Sequence, residues 1–442
     1  NNLKEILDEL SISDVDFSVE VAKPGFGDVS SNIAFLLAKE LQKSPKDITQ
    51  MLSEKYSQCA SILVLKNEAH PSGYLNFFAD WTKLSKLILS ESYLDTFGNV
   101  DIGNNSNIIV EHTSVNPNKA LHIGHIRNIV VGDTVSRILN KANYKVNVLN
   151  YIDDSGLQVA DIIVGFKYAK MSDEPPKNMK FDKYAGDSVY VKINELYKKK
   201  PELIEKRKHI LKELEKKSEI QNYTEKITTK ILKDQLKTAY RLGAFYDLLV
   251  FESHIIFSEN WNDIFEKMKK LKIVELETEG ENTGAWVIRI KNKGESDKVI
   301  VRSDGTSTYI AKDIVLAAWK IGLIKDIFNY KIYNTELSQK ELWSTELIQQ
   351  KNMHPKFTNN NISITIIDAR QNRLQRIIQE ILERLDNSNN VNKYLHLPYE
   401  VVTISKNTAT SLGFKIENNK TIHMSGRKGV YINVDNAIDL IK

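Results

Sequence analysis

The chain has 442 residues, more than one ordinary domain holds, which predicts two to four domains or insertions. Hydrophobic residues make up 41% of it and charged residues 27%, so a packed core is expected and a disordered chain is excluded. The single cysteine, Cys59, excludes a disulfide framework and a cysteine-based zinc site, and the net charge of +4 leaves nucleic-acid binding to be decided by local clustering.

Residues 1–103 are predicted to form a separate N-terminal α+β domain. Helical periodicity runs through NNLKEILDEL and SSNIAFLLAKELQKSPKDITQMLSEKY, and YLNFFAD (74–80) has the character of a strand. The first residues are typical of an amphipathic helix rather than a signal peptide. No apolar run reaches the length of a membrane span, so we expect no membrane partner. FGNVDIGNNSN (97–107), rich in Gly and Asn, marks the boundary.

Strands and helices alternate from residue 104 onward. NIIVEHT and YKVNVLNYI are predicted strands, and GHIRNIVVGDTVSRILNKA and SGLQVADIIVGFKYAK are predicted helices. The pattern resumes at NISITIIDARQ, followed by a helix in RLQRIIQEILERL and a strand in LPYEVVTIS. This alternation predicts an α/β fold with a doubly wound, Rossmann-like parallel sheet.

Two inserts are predicted to interrupt this α/β domain, which we place at 104–430. Residues 172–235 are polar and helical, and 198–217 hold nine Lys or Arg against four Glu. Residues 260–304 contain short strands separated by turns, which predicts a small antiparallel insert. Residues 431–442 read as the start of a further helical domain.

The stretch VEHTSVNPNKALHIGHIRN (110–128) lies where a predicted strand ends and a helix begins. The N-terminus of a helix favours anions, especially phosphate. Gly124 allows close approach of a flat ligand, His122 and His125 can donate hydrogen bonds to phosphate oxygens, and Lys119 adds a positive charge. The arrangement suits adenylyl transfer, in which positioning and charge stabilisation dominate. Two histidines at this spacing could equally be structural or bind a metal.

The string HIGH directly after a strand resembles the signature of class I aminoacyl-tRNA synthetases and, less closely, that of related nucleotidyltransferases. The wider string is similar to arginyl-tRNA synthetases, in which a Glu, an Asn and a Lys precede the signature, here Glu111, Asn116 and Lys119. Further similar strings follow in chain order: NYIDDSGLQ (150–158), FYDLLVFESH (245–254), RSDGTSTYIAKDI (302–314) and IIDARQ (366–371). GFGDVSSNIAF (25–35) is similar to the family's N-terminal additional domain.

The expected substrate pocket agrees with the chemistry of arginine. A guanidinium is planar and permanently charged, and carboxylates hold it best in a forked arrangement. In YIAKD, Tyr309 and Asp313 are four residues apart and share one face of a helix, although such a pair is often an ordinary surface pair. The resemblance assigns arginine binding to six residues: Glu111, Asn116, Glu252, Tyr309, Asp313 and Gln371.

One departure from the family concerns the KMSKS-type loop. The corresponding string is HMSGRKG (423–429), in which Gly426 occupies the usual catalytic lysine position. The resemblance implies that Lys119 supplies the positive charge of the missing loop lysine, with help from Arg427 or Lys428. His122 and His125 are the other implied catalytic residues. The implied ATP-binding residues are His122, Gly124, His125, Met424 and Ser425. Magnesium is expected to accompany ATP through phosphate oxygens.

The resemblance implies L-arginine and tRNA(Arg) as partners, a monomer, and a cytoplasmic location, which the lone cysteine fits. The candidate RNA contacts are Phe26, Asn32, Lys199, Lys206 and Arg207. A solvated helix face is the commoner meaning of a Lys-rich run. The family continues into an anticodon-reading helical domain beyond the loop, so we expect the chain to be a fragment or a truncated form.

Two other functions are compatible with parts of the sequence. A small-molecule adenylyltransferase would share the HIGH signature, but the Lys-rich insert, the HMSGRKG loop and the N-terminal unit argue against it. A non-catalytic arginine- or RNA-binding paralogue would fit Gly426, whereas retention of Lys119 and of both signature histidines argues against such decay. A cysteinyl-tRNA synthetase is disfavoured because one cysteine cannot build its zinc site.

Overall fold

The computed structural model describes residues 2–12, 15–59, 61–258, 260–290, 296–333, 340–348, 354–386, 394–405, 407, 410, 422–423 and 431–441. The chain divides into two compact units, Asn1–Asn99 and Val100–Lys442, close to the boundary expected after residue 103. In the described ranges, no helix is both long enough and apolar enough to cross a membrane.

The first unit is a small α+β domain around a four-stranded antiparallel sheet in the order β1-β2-β4-β3. Its elements are α1 (Asn2–Glu9), β1 (Val19–Val21), β2 (Val29–Ser31), α2 (Ile33–Leu41), α3 (Pro45–Gln58), β3 (Val64–Ala69), β4 (Leu75–Ala79) and α4 (Trp81–Glu91). The predicted helical stretch is two helices, because Ser44 caps α3 by accepting a hydrogen bond from the Asp47 amide at 3.2 Å, with Pro45 in the first turn.

The second unit is built on a seven-stranded sheet in the order β11-β12-β7-β6-β5-β13-β14. All neighbouring pairs are parallel except β11 with β12. The strands are β5 (Asn107–Glu111), β6 (Lys145–Ile152), β7 (Leu248–Phe251), β11 (Asn329–Ile332), β12 (Trp343–Glu346), β13 (Ile362–Asp368) and β14 (Tyr394–Tyr399). The order switches direction beside β5, and ligands of such sheets bind at the carboxyl ends of the strands there.

Helices cover the sheet and extend into the first insert. They are α5 (Ile123–Lys141), α6 (Leu157–Lys167), α7 (Phe181–Tyr184), a π-helix (Ala185–Tyr190), α8 (Val191–Lys199), α9 (Glu202–Leu214), α10 (Glu219–Arg241) and α11 (Glu252–Phe257). Ile163 of α6, Val189 of the π-helix and Ile193 of α8 are fully buried in one core. The inserted helices therefore pack on α6 as part of the same unit.

The second insert and the end of the chain complete the unit. The remaining elements are α12 (Trp261–Lys270), β8 (Glu275–Leu276), β9 (Trp286–Ile288), β10 (Lys298–Val301), α13 (Ile310–Lys320), a 3-10 turn (Ala369–Gln371), α14 (Asn372–Leu385), β15 (Thr403–Ile404), β16 (Ile422–His423) and α15 (Val434–Ile441). Strands β8 to β10 form the expected antiparallel sheet.

The last predicted strand was placed too late in the chain. LPYEVVTIS (397–405) was expected to form it, but the strand beside β13 is β14, which ends at Tyr399. Pro398 lies inside β14, where a missing amide is tolerated because β14 is an edge strand. Thr403 and Ile404 pair instead with β16 in a separate two-stranded sheet.

Candidate active site

The chain leaves β5 through a strained turn. Thr113 and Ser114 have φ values of 74° and 46°, in the left-handed region that residues other than glycine rarely adopt. Three side chains hold them: Asn128 accepts from the Thr113 amide at 2.5 Å, Asn150 accepts from the Ser114 amide at 3.1 Å, and the Tyr246 hydroxyl lies 2.7 Å from Thr113 Oγ1. Strain held in this way is typical of functional sites.

The two signature histidines form a stacked pair at the start of α5. His122 is the N-cap, Gly124 lies between the histidines in the first turn, and the two rings are 3.6 Å apart at 20°. The His122 amide donates to Nδ1 of His125 at 3.1 Å, so the proton of a neutral His125 is on Nε2. Nδ1 of His122 is buried and has no hydrogen-bond partner in the described ranges.

Both imidazoles are neutral at pH 7. Burial, helped by the charge of Lys119, lowers the pKa of His122 to about 4. Burial and the neighbouring charges of His122 and Lys119 hold the pKa of His125 well below its usual value. The histidines therefore offer N–H donors, and the positive charge at this turn comes from Lys119.

Lys119 is fixed by the helices that pack around it. Its side chain is buried, with Nζ 3.5 Å from Gln158 Oε1 and 5.8 Å from the centre of the Tyr190 ring. Its carbonyl accepts a hydrogen bond from Gln235 Nε2 at 2.8 Å. Gly186 of the π-helix packs against it, and a Cβ there would lie 2.6 Å from Lys119 Cβ. The lysine thus projects from a backbone held on two sides.

The segment after the HMSGRKG loop lies beside the signature turn. His122 pairs with Asn433 in an antiparallel bridge, and the Ile123 amide donates to the Ile432 carbonyl at 3.0 Å. The Tyr431 ring lies 5.9 Å from the His122 ring. The loop residues assigned to ATP or catalysis lie outside the described residues, and their roles stay predictions: Met424, Ser425, Gly426, Arg427 and Lys428.

Four carboxylates converge near the same edge of the sheet. One ends β5, two directly follow β6 and β7, and the fourth is on α13: Glu111, Asp153, Glu252 and Asp313. Burial and the charges of all four raise the pKa of Tyr151 well above its usual value, which places one phenol within reach of the whole group. We call these four residues the carboxylate pocket.

The carboxylate pocket is joined to the loop of the signature. Asn116 Nδ2 donates to Asp153 Oδ2 at 2.5 Å. Burial and the adjacent Glu252, to which it donates a hydrogen bond when protonated, raise the pKa of Asp153 well above its usual value. Burial opposes ionisation of Glu252, but the hydrogen bond from Asp153 and the charge of Lys312 lower its pKa. Burial and the charges of Glu252 and Glu111 raise the pKa of Asp313 to about 7.

Two lysines on α13 contact the pocket, and the sequence analysis missed both. Lys312 Nζ forms an ion pair with Glu252, and Lys320 Nζ forms one with Glu111. Lys320 is 1% exposed and also donates to Thr365 Oγ1 at 3.0 Å. A signal was present, because a lysine in the apolar run IVLAAWK needs a buried partner.

Two expected arginine-binding residues lie apart from these contacts. Tyr309 is the N-cap of α13 and is 58% exposed. Its hydroxyl accepts from Lys298 Nζ at 3.1 Å, and that Nζ is 4.6 Å from the Tyr309 ring centre. The structure thus turns Tyr309 towards the β insert, although it keeps the expected spacing to Asp313. Gln371 ends the 3-10 turn after β13 and is exposed.

Comparison with known proteins settles the family. Residues 86–393 match the family described as "tRNA synthetases class I (R), catalytic domain", and residues 1–79 match "Arginyl tRNA synthetase N terminal domain". The chain belongs to the class I arginyl-tRNA synthetase family. The family expected from the HIGH string and from the ordered matches after it is therefore confirmed, together with the α/β fold class.

Individual relatives agree. An arginine–tRNA ligase of Thermococcus sibiricus is 34% identical over 434 residues, covering 94% of this chain and 64% of that protein. One of Pyrococcus furiosus is 34% identical, covering 91% and 66%. The solved Thermus thermophilus arginyl-tRNA synthetase is 29% identical with a TM-score of 0.69, covering 90% of this chain and 64% of that one. The chain thus spans about two thirds of the length of these relatives.

The expected RNA contacts of the first unit lie on its surface. Phe26 is 43% exposed and meets His70 edge to face at 5.1 Å. Asn32 is the N-cap of α2, and its Oδ1 accepts from the Ser18 amide at 3.2 Å. Phe26 therefore has a free ring face to offer, whereas part of the Asn32 amide is engaged within the unit.

The expected contacts of the basic insert divide into two kinds. Lys199 and Lys206 are exposed, with Lys206 Nζ 5.2 Å from the Tyr168 ring centre. Arg207 instead lies 3.4 Å from the buried carboxylate of Asp161 and over the Tyr197 ring at 4.8 Å. The Arg207 guanidinium thus neutralises a buried charge within the insert, and its expected contact with RNA stays a prediction.

A metal site is not evident in the part of the chain that the structure describes. No group of three or more His, Cys, Asp or Glu side chains in those ranges is arranged to hold an ion. The carboxylate pocket is instead partly neutralised by Lys312 and Lys320. Its remaining negative charge suits an organic cation.

Proposed function

We propose that this chain carries out ATP-dependent activation of L-arginine to arginyl-adenylate and its transfer to tRNA(Arg). The observation that supports this most is the contact between Asn116 and Asp153, which joins the signature loop to the carboxylate pocket. An anion-binding helix N-terminus and a cation-binding pocket then lie at one end of one sheet. Arginine and ATP require that pair of sites.

In the first step, a carboxylate oxygen of arginine attacks the α-phosphorus of ATP, and the bond to pyrophosphate breaks. Lys119 supplies positive charge to the phosphate oxygens, and His122 and His125 act as neutral donors, with Gly124 leaving room at the helix start. Met424, Ser425, Arg427 and Lys428 are proposed to contribute from the loop. Magnesium enters with ATP, held by phosphate oxygens.

The guanidinium of arginine is proposed to bind Glu252 and Asp313, which are close enough for the charge of one to raise the pKa of the other. Glu111 and Asn116 line the pocket on the side of β5. Gln371 is proposed to hold the ammonium end from the neighbouring β13, and Tyr309 to cover the side chain from α13.

In the second step, a hydroxyl of the terminal ribose of tRNA attacks the carbonyl carbon of the adenylate, and AMP leaves. The residues proposed to contact the RNA are Phe26 and Asn32 of the first unit and Lys199, Lys206 and Arg207 of the insert. A monomer in the cytoplasm is proposed from the family resemblance.

Calorimetric titration with a non-hydrolysable arginyl-adenylate mimic, beside its citrulline and lysine counterparts, tests the proposal. Citrulline keeps the shape of arginine without its charge, so a charged pocket should bind the citrulline form more weakly by about 2 kcal/mol or more. Equal binding of all three would indicate a general adenylyltransferase, and no binding would indicate a non-catalytic paralogue.

A further inference from the structure

The carboxylate pocket already contains a cation that belongs to the chain. Lys312 directly precedes Asp313 on α13, and its Nζ forms an ion pair with Oε1 of Glu252. The Glu252 side chain is 7% exposed and that of Lys312 is 28% exposed, so the lysine reaches a buried carboxylate from the solvent side. The Lys312 ammonium is thus paired with Glu252, one of the carboxylates proposed to bind the guanidinium of arginine.

Lys312 differs from the other lysine of the pocket in its freedom to leave. The Lys320 side chain is 2% exposed, donates to Thr365 Oγ1 at 3.0 Å, and lies 5.3 Å from the Tyr394 ring centre in addition to its contact with Glu111. Lys320 is therefore a fixed part of the core. Lys312 is partly solvated, so its ammonium can return to water.

Lys312 carries a positive charge at neutral pH. Burial opposes ionisation, but the charges of Glu252, Asp153 and Asp313 raise its pKa above the usual value. At neutral pH, the ammonium and the Glu252 carboxylate are both ionised. A cationic ligand that approaches Glu252 meets a site whose charge is already balanced.

We propose that Lys312 is a resident counter-ion, which arginine displaces from Glu252 when it binds. This inference rests on the proposed function. A guanidinium that binds Glu252 and Asp313 needs the face of Glu252 that the Lys312 ammonium occupies through Oε1, so the two cations compete for this carboxylate. Because Lys312 is tethered beside Glu252, it competes at a high effective concentration.

The displacement sets a threshold for ligands. Because Lys312 must first leave Glu252, the affinity of every cation that binds this carboxylate is lowered by the same factor. A ligand with a single ammonium replaces the ion pair between Lys312 and Glu252 by an equivalent one, so its binding free energy gains little. A planar guanidinium that bridges Glu252 and Asp313 gains additional directed hydrogen bonds, so arginine retains useful affinity at concentrations where lysine does not occupy the pocket.

Lys312→Met tests the proposal in calorimetric titrations with the arginyl-adenylate mimic and its lysyl counterpart. We expect both to bind about fivefold more tightly than to the wild-type chain, since one partly exposed ion pair no longer has to be broken. Their ratio should stay constant. Lys325→Met removes an exposed charge that lies just beyond α13 and should change neither affinity by twofold. Unchanged or weaker binding to Lys312→Met would overturn the proposal.

A double-mutant cycle separates displacement from a general effect of charge. In a Glu252→Gln background the shared partner is absent, so Lys312→Met should change affinity by less than about twofold. A persistent gain in that background would show that the lysine acts at a distance, and would overturn the displacement. Lys312→Gln repeats the cycle if the Met variant does not fold. Failure of the wild-type chain to bind the arginyl mimic would instead refute the proposed function.

Discussion

The signature turn and the carboxylate pocket lie at one edge of the same sheet but are organised differently. The turn is a strained backbone segment that neighbouring side chains hold in place, and both of its histidines are neutral. In the carboxylate pocket, the ionisation of each carboxylate changes the pKa values of its neighbours. A site that binds phosphate oxygens needs fixed donors, whereas a site that selects a cation can be tuned by which carboxylates are ionised.

The largest expected effect is on the side of the turn. Lys119→Ala should slow formation of arginyl-adenylate by on the order of 100-fold or more, because it removes a fixed charge from the transition state. ATP–pyrophosphate exchange with tRNA(Arg) present measures the rate. Lys233→Ala, on the exposed face of α10, is the matched control and should leave the rate unchanged. If the rate of Lys119→Ala is within threefold of the wild-type rate, another residue must supply the positive charge that binds the phosphates.

Glu252→Gln should have the next largest effect, on the side of the pocket. Loss of the charged acceptor should weaken the arginyl-adenylate mimic by about 30-fold, or about 2 kcal/mol. Calorimetry gives the affinity, and Glu266→Gln, an exposed glutamate on α12, serves as the control. A loss of less than threefold would mean that the guanidinium binds away from β7.

The pH dependence of arginine binding should separate the two regions. Burial and neighbouring carboxylates raise the pKa of Asp313 to about 7, and a guanidinium pairs with its ionised form. Affinity for the arginyl mimic should therefore fall by about tenfold from pH 8 to pH 6, as Asp313 takes up a proton. The histidines stay neutral throughout that range, because burial lowers the pKa of His122 to about 4 and holds the pKa of His125 well below its usual value.

Asp313→Asn should flatten this dependence at a lower overall affinity, measured in the same titrations. A profile that keeps its slope in this variant would assign the titration to another group. ATP binding by the wild-type chain should vary little between pH 6 and pH 8 beyond the ionisation of ATP itself. A steep change there would contradict the neutral histidines.

The sequence predicted the turn far better than the pocket, for a physical reason. The residues of the turn are contiguous with β5 and α5, whose bounds follow from hydrophobic periodicity. The pocket depends on β7 lying beside β6, and strand order is not readable from local patterns. Glu252 and Asp313 were found through family resemblance. Asp153, Lys312 and Lys320 matter only through contacts with residues of other elements, which local patterns do not show. The last strand was likewise misplaced, because its pairing with β13, rather than its local pattern, fixes its bounds.

Tyr309→Phe gives the smallest expected effect and shows where the pocket ends. The hydroxyl contacts Lys298 at the surface, so its loss should weaken the arginyl mimic by no more than about threefold, the size of one exposed hydrogen bond. Lys298→Met removes the partner and should have an effect of similar size. If Tyr309→Phe instead lowers the affinity for the arginyl mimic more than tenfold while Lys298→Met leaves it unchanged, the phenol must turn towards Asp313 when arginine binds. The pocket would then be completed by a side-chain movement on α13, the same helix that carries Lys312, and the contrast with the rigid signature turn would be sharper still.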